Sequence, residues 1–217
     1  MLIIFLITKD AVWLNDRYSN IVIMKRSNTE SKTESTEIYA WGGKALLQTS
    51  LDNTFGQLGI ISKEETKVYT HPKFFSLNIR IKSISCGEEY TALLTRYSVL
   101  SLLDEGFLYT MGNNLHGQLG LGESSIYNAE PRLVESLMNK KIVAVACGVS
   151  HTIAITDKDE AYNWGLGTLG TNTTTIQCKP ILIDYFSNKN IPIVSAACGA
   201  KHSVFLTRNN KLKFRQW

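Results

Sequence analysis

A thirteen-residue phrase occurs three times in this chain and constrains its fold more than any other feature. It reads SISCGEEYTALLT at Ser83–Thr95, AVACGVSHTIAIT at Ala144–Thr156 and SAACGAKHSVFLT at Ser195–Thr207. Its cysteines, Cys86, Cys147 and Cys198, lie 61 and 51 residues apart. Self-similarity at a period of about fifty marks a repeat architecture, in which one supersecondary unit cannot bury its apolar face alone. Function then belongs to a surface assembled from several units, not to one catalytic cluster.

The middle copy serves as the template. An apolar and aromatic run, Phe107–Gly112, ends on a glycine and is followed by the turn-rich stretch Asn113–Gly120 (NNLHGQLG). After a loop come Pro131 and Arg132-Leu133-Val134, then Ile142–Ala146, the Cys-Gly turn and His151–Thr156. These runs have strand length, are rich in β-branched residues and are bounded by turn formers. Four short strands per repeat with no helical period predict an all-β chain of propeller blades, each of four antiparallel strands. Gly87, Gly148 and Gly199 are expected to take positive φ where one strand turns into the next. Leu58 and Leu119, from the two GQLG stretches, are expected in blade cores. Pro72, Pro131 and Pro180 lack a ladder donor, so each is expected on an edge strand just before its regular part.

Residues 1–36 do not match the repeat and read as a separate N-terminal segment, with the polar stretch Ser27–Thr36 (SNTESKTEST) as linker; residues 37–217 carry the repeats. Alignment exposes two extra segments, Gly43–Leu51 and Arg96–Leu103, and removing both restores the register. They are either loops inserted between strands or short introns translated in frame. The last unit is shorter, with Trp164-Gly165-Leu166-Gly167-Thr168-Leu169-Gly170 in place of the GQLG version. About three blades follow from this count, an incomplete ring.

Several function classes are disfavoured by composition. The net charge of +4 and the absence of any basic run longer than a pair give no nucleic-acid footprint. The four cysteines form no CxxC pair, which argues against a zinc knuckle, and the repeat-locked three read as small buried side chains in a reducing compartment. The opening MLIIFLI has no preceding positive charge, and no apolar run approaches the roughly 20 residues of a spanning helix. Gly165, Gly167 and Gly170 satisfy GxGxxG, but no helix-forming run follows, so turns are the better account. No catalytic constellation, metal site or cofactor is visible.

The Trp-Gly turns at Trp41-Gly42 and Trp164-Gly165, the Asn-x-x-Gly-Gln-Leu-Gly stretch and the Gly-x-x-His strands at Gly148–His151 and Gly199–His202 resemble the regulator of chromosome condensation repeat. Met111-Gly112 stands in for the middle Trp-Gly turn, and Tyr90 replaces histidine in the first phrase. The resemblance covers about residues 37–214 and implies a propeller presenting loops to a protein partner in the cytoplasm or nucleus. It also implies two narrower activities: guanine-nucleotide exchange on a Ran-like small GTPase, and substrate binding within a larger HECT-type ubiquitin ligase. His151, His202 and Tyr90 sit at the family's histidine position and are candidates for the partner-binding face, with Asp157 and Asp159 of the polar hairpin. The competing reading makes the histidines structural hydrogen-bonding groups, since tyrosine at the equivalent place can do that work and not the same acid–base work.

Overall fold

The computed structural model describes residues 81–95, 106–167 and 175–213 in full, and the backbone of the strands that lie before them and through residue 216. Four antiparallel sheets follow one another along the chain. The first is built from β1 (Ile7–Thr8), β2 (Ala11–Asn15), β3 (Asn20–Arg26) and β4 (Thr36–Gly42). A two-strand ladder of β5 (Lys44–Ala45) and β6 (Leu51–Asp52) intervenes, and β7 (Lys73–Leu77) then completes that sheet beside β4. The second contains β8 (Ile81–Cys86), β9 (Tyr90–Thr95), β10 (Leu108–Asn113) and β11 (Tyr127–Leu133). The third contains β12 (Ile142–Cys147), β13 (His151–Thr156), β14 (Ala161–Gly165) and β15 (Gln177–Leu182). One turn of helix, α1 (Asp184–Asn188), leads to the fourth sheet of β16 (Ile193–Cys198), β17 (His202–Thr207) and β18 (Leu212–Gln216). Each sheet pairs its strands in chain order, as propeller blades do.

The repeated phrase forms the first two strands of a sheet, and the Trp-Gly segment forms its third. A sequence unit that begins at the Trp-Gly segment therefore starts in one sheet and finishes in the next. Three such units thread four sheets, and the first sheet takes its opening strands from residues before the repeats. β3 pairs with β4 from Asn20↔Gly42 to Arg26↔Thr36. The boundary drawn after residue 36 thus falls inside a sheet, whose β3 comes from the non-repeat segment. β2 and β3 occupy the places that β8 and β9 hold in the second sheet. Residues 27–35 of the expected linker, and likewise Arg96–Leu103, Leu58 and Pro72, lie outside the described residues. The other extra segment forms the small ladder, with Lys44 opposite Asp52 and Ala45 opposite Leu51.

Pro131 and Pro180 lie within the outermost strands β11 and β15, not ahead of them. The edge position is the expected one, because a proline there costs no ladder donor.

The core lies between sheets. β9 and β13 are buried at all six positions, Thr91, Thr95, His151, Thr152 and Thr156 included, so each is covered on both faces. Between the second and third sheets, Tyr90, Ala92, Leu94 and Leu108 pack with Ile142, Cys147, Ala154 and Trp164. Between the third and fourth, Ile153, Ile155 and Ala161 pack with Ile193 and Phe205, joined by Phe186 of α1. Leu119 of the GQLG stretch is fully buried in the first of these clusters, as its sequence position implies.

Candidate functional site

The three Cys-Gly turns do not carry the positive φ expected of them: Gly87, Gly148 and Gly199 are absent from the left-handed glycines of the described residues. Their requirement is for space. A Cβ on Gly148 would overlap the His151 imidazole and come within 2.8 Å of the Gly199 carbonyl oxygen. Gly87 is covered in the same way by the Tyr90 ring and Gly199 by the His202 ring. The main chain closes each turn, with the Gly148 N–H donating to the His151 carbonyl at 2.8 Å and its counterparts at 2.9 Å. Cys-Gly-x-x-His is therefore one packing unit, in which the ring takes the room that glycine leaves. Left-handed backbone occurs instead at Gly165, with φ of 101°, where a Cβ would lie only 2.3 Å from the Ser150 carbonyl oxygen, so turn geometry accounts for this glycine of the GxGxxG match.

Tyr90 and His151, candidates for a partner-binding face or, on the competing reading, structural hydrogen-bonding groups, are buried between sheets. The Tyr90 phenol donates to the His151 carbonyl at 2.5 Å and lies 3.0 Å from the Thr152 hydroxyl. Thr152 in turn donates to the Gln118 carbonyl at 2.8 Å, and the Trp164 indole N–H reaches the same oxygen at 2.8 Å. One junction later, His151 Nε2 and the Ser203 hydroxyl are 3.0 Å apart. Burial, aided by the neighbouring His202, lowers the His151 pKa to about 4, so the ring is neutral at physiological pH. Burial also holds the Tyr90 phenol well above its ordinary value and pushes the Cys147 thiol up to about 11. These groups are structural hydrogen-bonding and packing elements, and a buried neutral thiol is inert.

His202 differs: it is exposed, although it holds the same place in the fourth sheet. Asp157 and Asp159 lie in the hairpin at the opposite end of β13, so the five candidates do not form one face. Asp157 is exposed, whereas Asp159 pairs with Arg208 at 2.6 Å and its carbonyl accepts from Ile193 N–H at 3.1 Å, tying two sheets together. Among the described residues, no group of three His, Cys, Asp or Glu side chains could hold a metal ion. No helix there is long and apolar enough to cross a membrane.

The exposed surface has a feature that periodicity conceals. Of the seven large hydrophobic residues exposed among the described residues, five lie at the Cys-Gly end of the sheets: Leu115, Ile126, Tyr127, Leu166 and Ile176. Leu115, Ile126, Leu166 and Ile176 sit in the segments between the third and fourth strands of two successive sheets, and Tyr127 opens the fourth strand β11. The loop of the second sheet is rigidly built. Asn114 bridges to the Glu123 carbonyl at 2.9 Å and the Ser125 hydroxyl at 3.0 Å, and Gln118 accepts from His116 N–H at 2.9 Å. Gly122 N–H donates to the Cys178 carbonyl at 2.8 Å, laying this loop across the outer strand of the third sheet. These hydrophobic residues stand at positions that no repeat template marks as special, which is why sequence reading missed them.

The family model described as "Regulator of chromosome condensation (RCC1) repeat" matches residues 37–94, 105–155 and 158–206. The gap between the first two matches takes in the extra segment Arg96–Leu103. Human E3 ubiquitin-protein ligase HERC2 is 32% identical over 185 residues, covering 83% of this chain and 3% of that protein. Human WBSCR16 superposes with a TM-score of 0.70 at 18% identity, over 92% of this chain and 45% of that one. Prp20p from Saccharomyces cerevisiae, solved in a study of its binding to Gsp1p and histones, gives a TM-score of 0.62 at 17% identity, over 96% and 56%. The chain thus spans about half of these solved propellers and a small part of the ligase.

Proposed function

Because the chain belongs to the regulator of chromosome condensation repeat family, we propose that it is a protein-interaction module whose contact surface is the Cys-Gly end of its blades. The observation that carries this reading is the clustering there of Leu115, Ile126, Tyr127, Leu166 and Ile176. Exposed apolar groups gathered on one end mark a protein contact more often than scattered ones do. The loop that carries Leu115 is held by side-chain hydrogen bonds, so little ordering cost opposes binding. The likeness to HERC2 supports a place within a larger regulatory protein, where such a module would present substrates to a ligase. Exchange on a small GTPase is the alternative that the likeness to Prp20p brings, and it rests on the fold alone.

The experiment is affinity capture compared between the chain and a Leu115→Asp/Ile126→Asp/Ile176→Asp variant that keeps its circular dichroism spectrum. Proteins captured in stoichiometric amount by the first and lost by the second are expected. Identical captured sets would sink the assignment to this end. A nucleotide-release assay with a Ran-like GTPase tests the alternative separately.

A further inference from the structure

Tyr127 stands apart from the other tyrosines of the described residues. Tyr90 is buried, and Tyr109, Tyr162 and Tyr185 are half-buried. The Tyr162 hydroxyl reaches Glu160 Oε2 at 3.2 Å, and Lys189 stands 4.5 Å from the centre of the Tyr185 ring. Tyr127 is 48% exposed, and its phenol makes no hydrogen bond to another described residue. Gly112 pairs with Asn128 and Gly165 with Gln177, so Tyr127 and Ile176 hold the same place in successive sheets. Isoleucine fills that place in the third sheet, so the packing there needs no hydroxyl.

The segment around Tyr127 is suited to an enzyme's groove. It opens β11, the outermost strand of its sheet, so it is already extended and lies on an edge. The ladder to β10 shifts register between Thr110 and Gly112, leaving two pairs, Gly112↔Asn128 and Asn113↔Tyr127, at this end. Residues 123–131 (ESSIYNAEP) carry Glu123 and Glu130 and no basic residue. We propose, building on the reading of this end as a contact surface, that Tyr127 is a phosphorylation site whose modification releases the partner. Its enzyme is an ATP-dependent tyrosine kinase with a basic substrate groove, the charge that complements the two glutamates. The phenol oxygen bonds to the γ-phosphorus of ATP and the bond from that phosphorus to the bridging oxygen breaks. ADP leaves, and the phenolic proton passes to a base of the kinase. The product brings a charge of about −1.5 to −2 into the apolar cluster, where its desolvation opposes contact. Glu123 and Glu130 add repulsion, and Arg132, on the same strand, lies 3.6 Å from Glu123.

The full chain is treated with a purified broad-specificity tyrosine kinase and Mg-ATP, and each site is timed by mass spectrometry. Tyr127 is expected to react about tenfold faster than Tyr109, Tyr162 or Tyr185, which are reached as the sheet opens locally. Reaction of any of those three ahead of Tyr127, or none at Tyr127, overturns the proposal. Affinity capture then compares the unmodified chain, the phosphorylated chain and Tyr127→Phe taken through the same treatment. Phosphorylation is expected to remove the proteins that the Leu115→Asp/Ile126→Asp/Ile176→Asp variant loses, and Tyr127→Phe to keep them. Their retention by the phosphorylated chain overturns the switch and leaves the contact surface standing. Their retention by the triple variant overturns the contact surface, and the switch with it.

Discussion

Tyr90 and His151 are 61 residues apart in sequence, and the phenol of the first donates to the main-chain carbonyl of the second. The bond crosses from one sheet to the next at the place where both residues cover the glycine of their own turn. One ring thus fixes a turn within its sheet and a seam between sheets.

Tyr90→Phe keeps the ring and removes the hydroxyl, leaving the His151 carbonyl without this buried partner. The Gly148 N–H still donates to that oxygen, so the expected loss is that of one buried hydrogen bond, about 1 kcal/mol. Urea unfolding monitored by circular dichroism measures it, and an unchanged midpoint would show the seam to be unimportant.

Gly148→Ala puts a methyl where the His151 ring lies and close to the Gly199 carbonyl. Forced repacking of this kind costs about 1–3 kcal/mol. The informative comparison is with Gly148→Ala/His151→Ala, which removes the ring along with the space it needs. The double variant is expected to lose less than the sum of the two single losses; strict additivity would contradict the ring-over-glycine account.

His151 makes stability fall in acid. Its folded pKa of about 4 lies below the ordinary 6.5, so the unfolded chain binds the proton first as pH drops. The contribution is complete above about pH 6.5, declines through the window down to about 4 and is then exhausted, a total of at most about 3 kcal/mol. Unfolding free energy measured across that window should decline more steeply for the native chain than for His151→Phe. Equal slopes in the two proteins would place the acid sensitivity elsewhere.

Trp164→Phe deletes an indole N–H that shares the Gln118 carbonyl with the Thr152 hydroxyl. Since Thr152 still satisfies that oxygen, a modest loss of about 1 kcal/mol is expected. Combining it with Thr152→Val strips both donors and should cost more than the separate losses together, which thermal unfolding of the four proteins would reveal.

The repeat, the strand content and the four-strand unit were legible because each depends on local spacing and on residues with few alternatives, such as the glycine beneath a ring. The N-terminal strands were not. Ala11–Asn15 and Asn20–Arg26 pair like their counterparts, yet Asp16-Arg17-Tyr18-Ser19 stands between them in place of a Cys-Gly turn. Backbone pairing tolerates this exchange, whereas pattern matching does not. The burial of Tyr90 and His151 was equally hidden, since a polar residue opening a strand looks the same whether the next sheet covers it or not. His202 shows the distinction directly: the motif is unchanged, and only the neighbour differs.

The half-unit offset between sequence repeat and sheet bears on how the chain acquires its structure. Cutting between Thr95 and Leu108 would leave each product with an unfinished meander, although every repeat on either side is intact. Folding should therefore propagate across seams as one cooperative transition, with no repeat serving as an autonomous foldon. Duplication or loss of a genomic unit in this phase also renews a seam every time, so the lineage can change its number of blades without inventing a new interface.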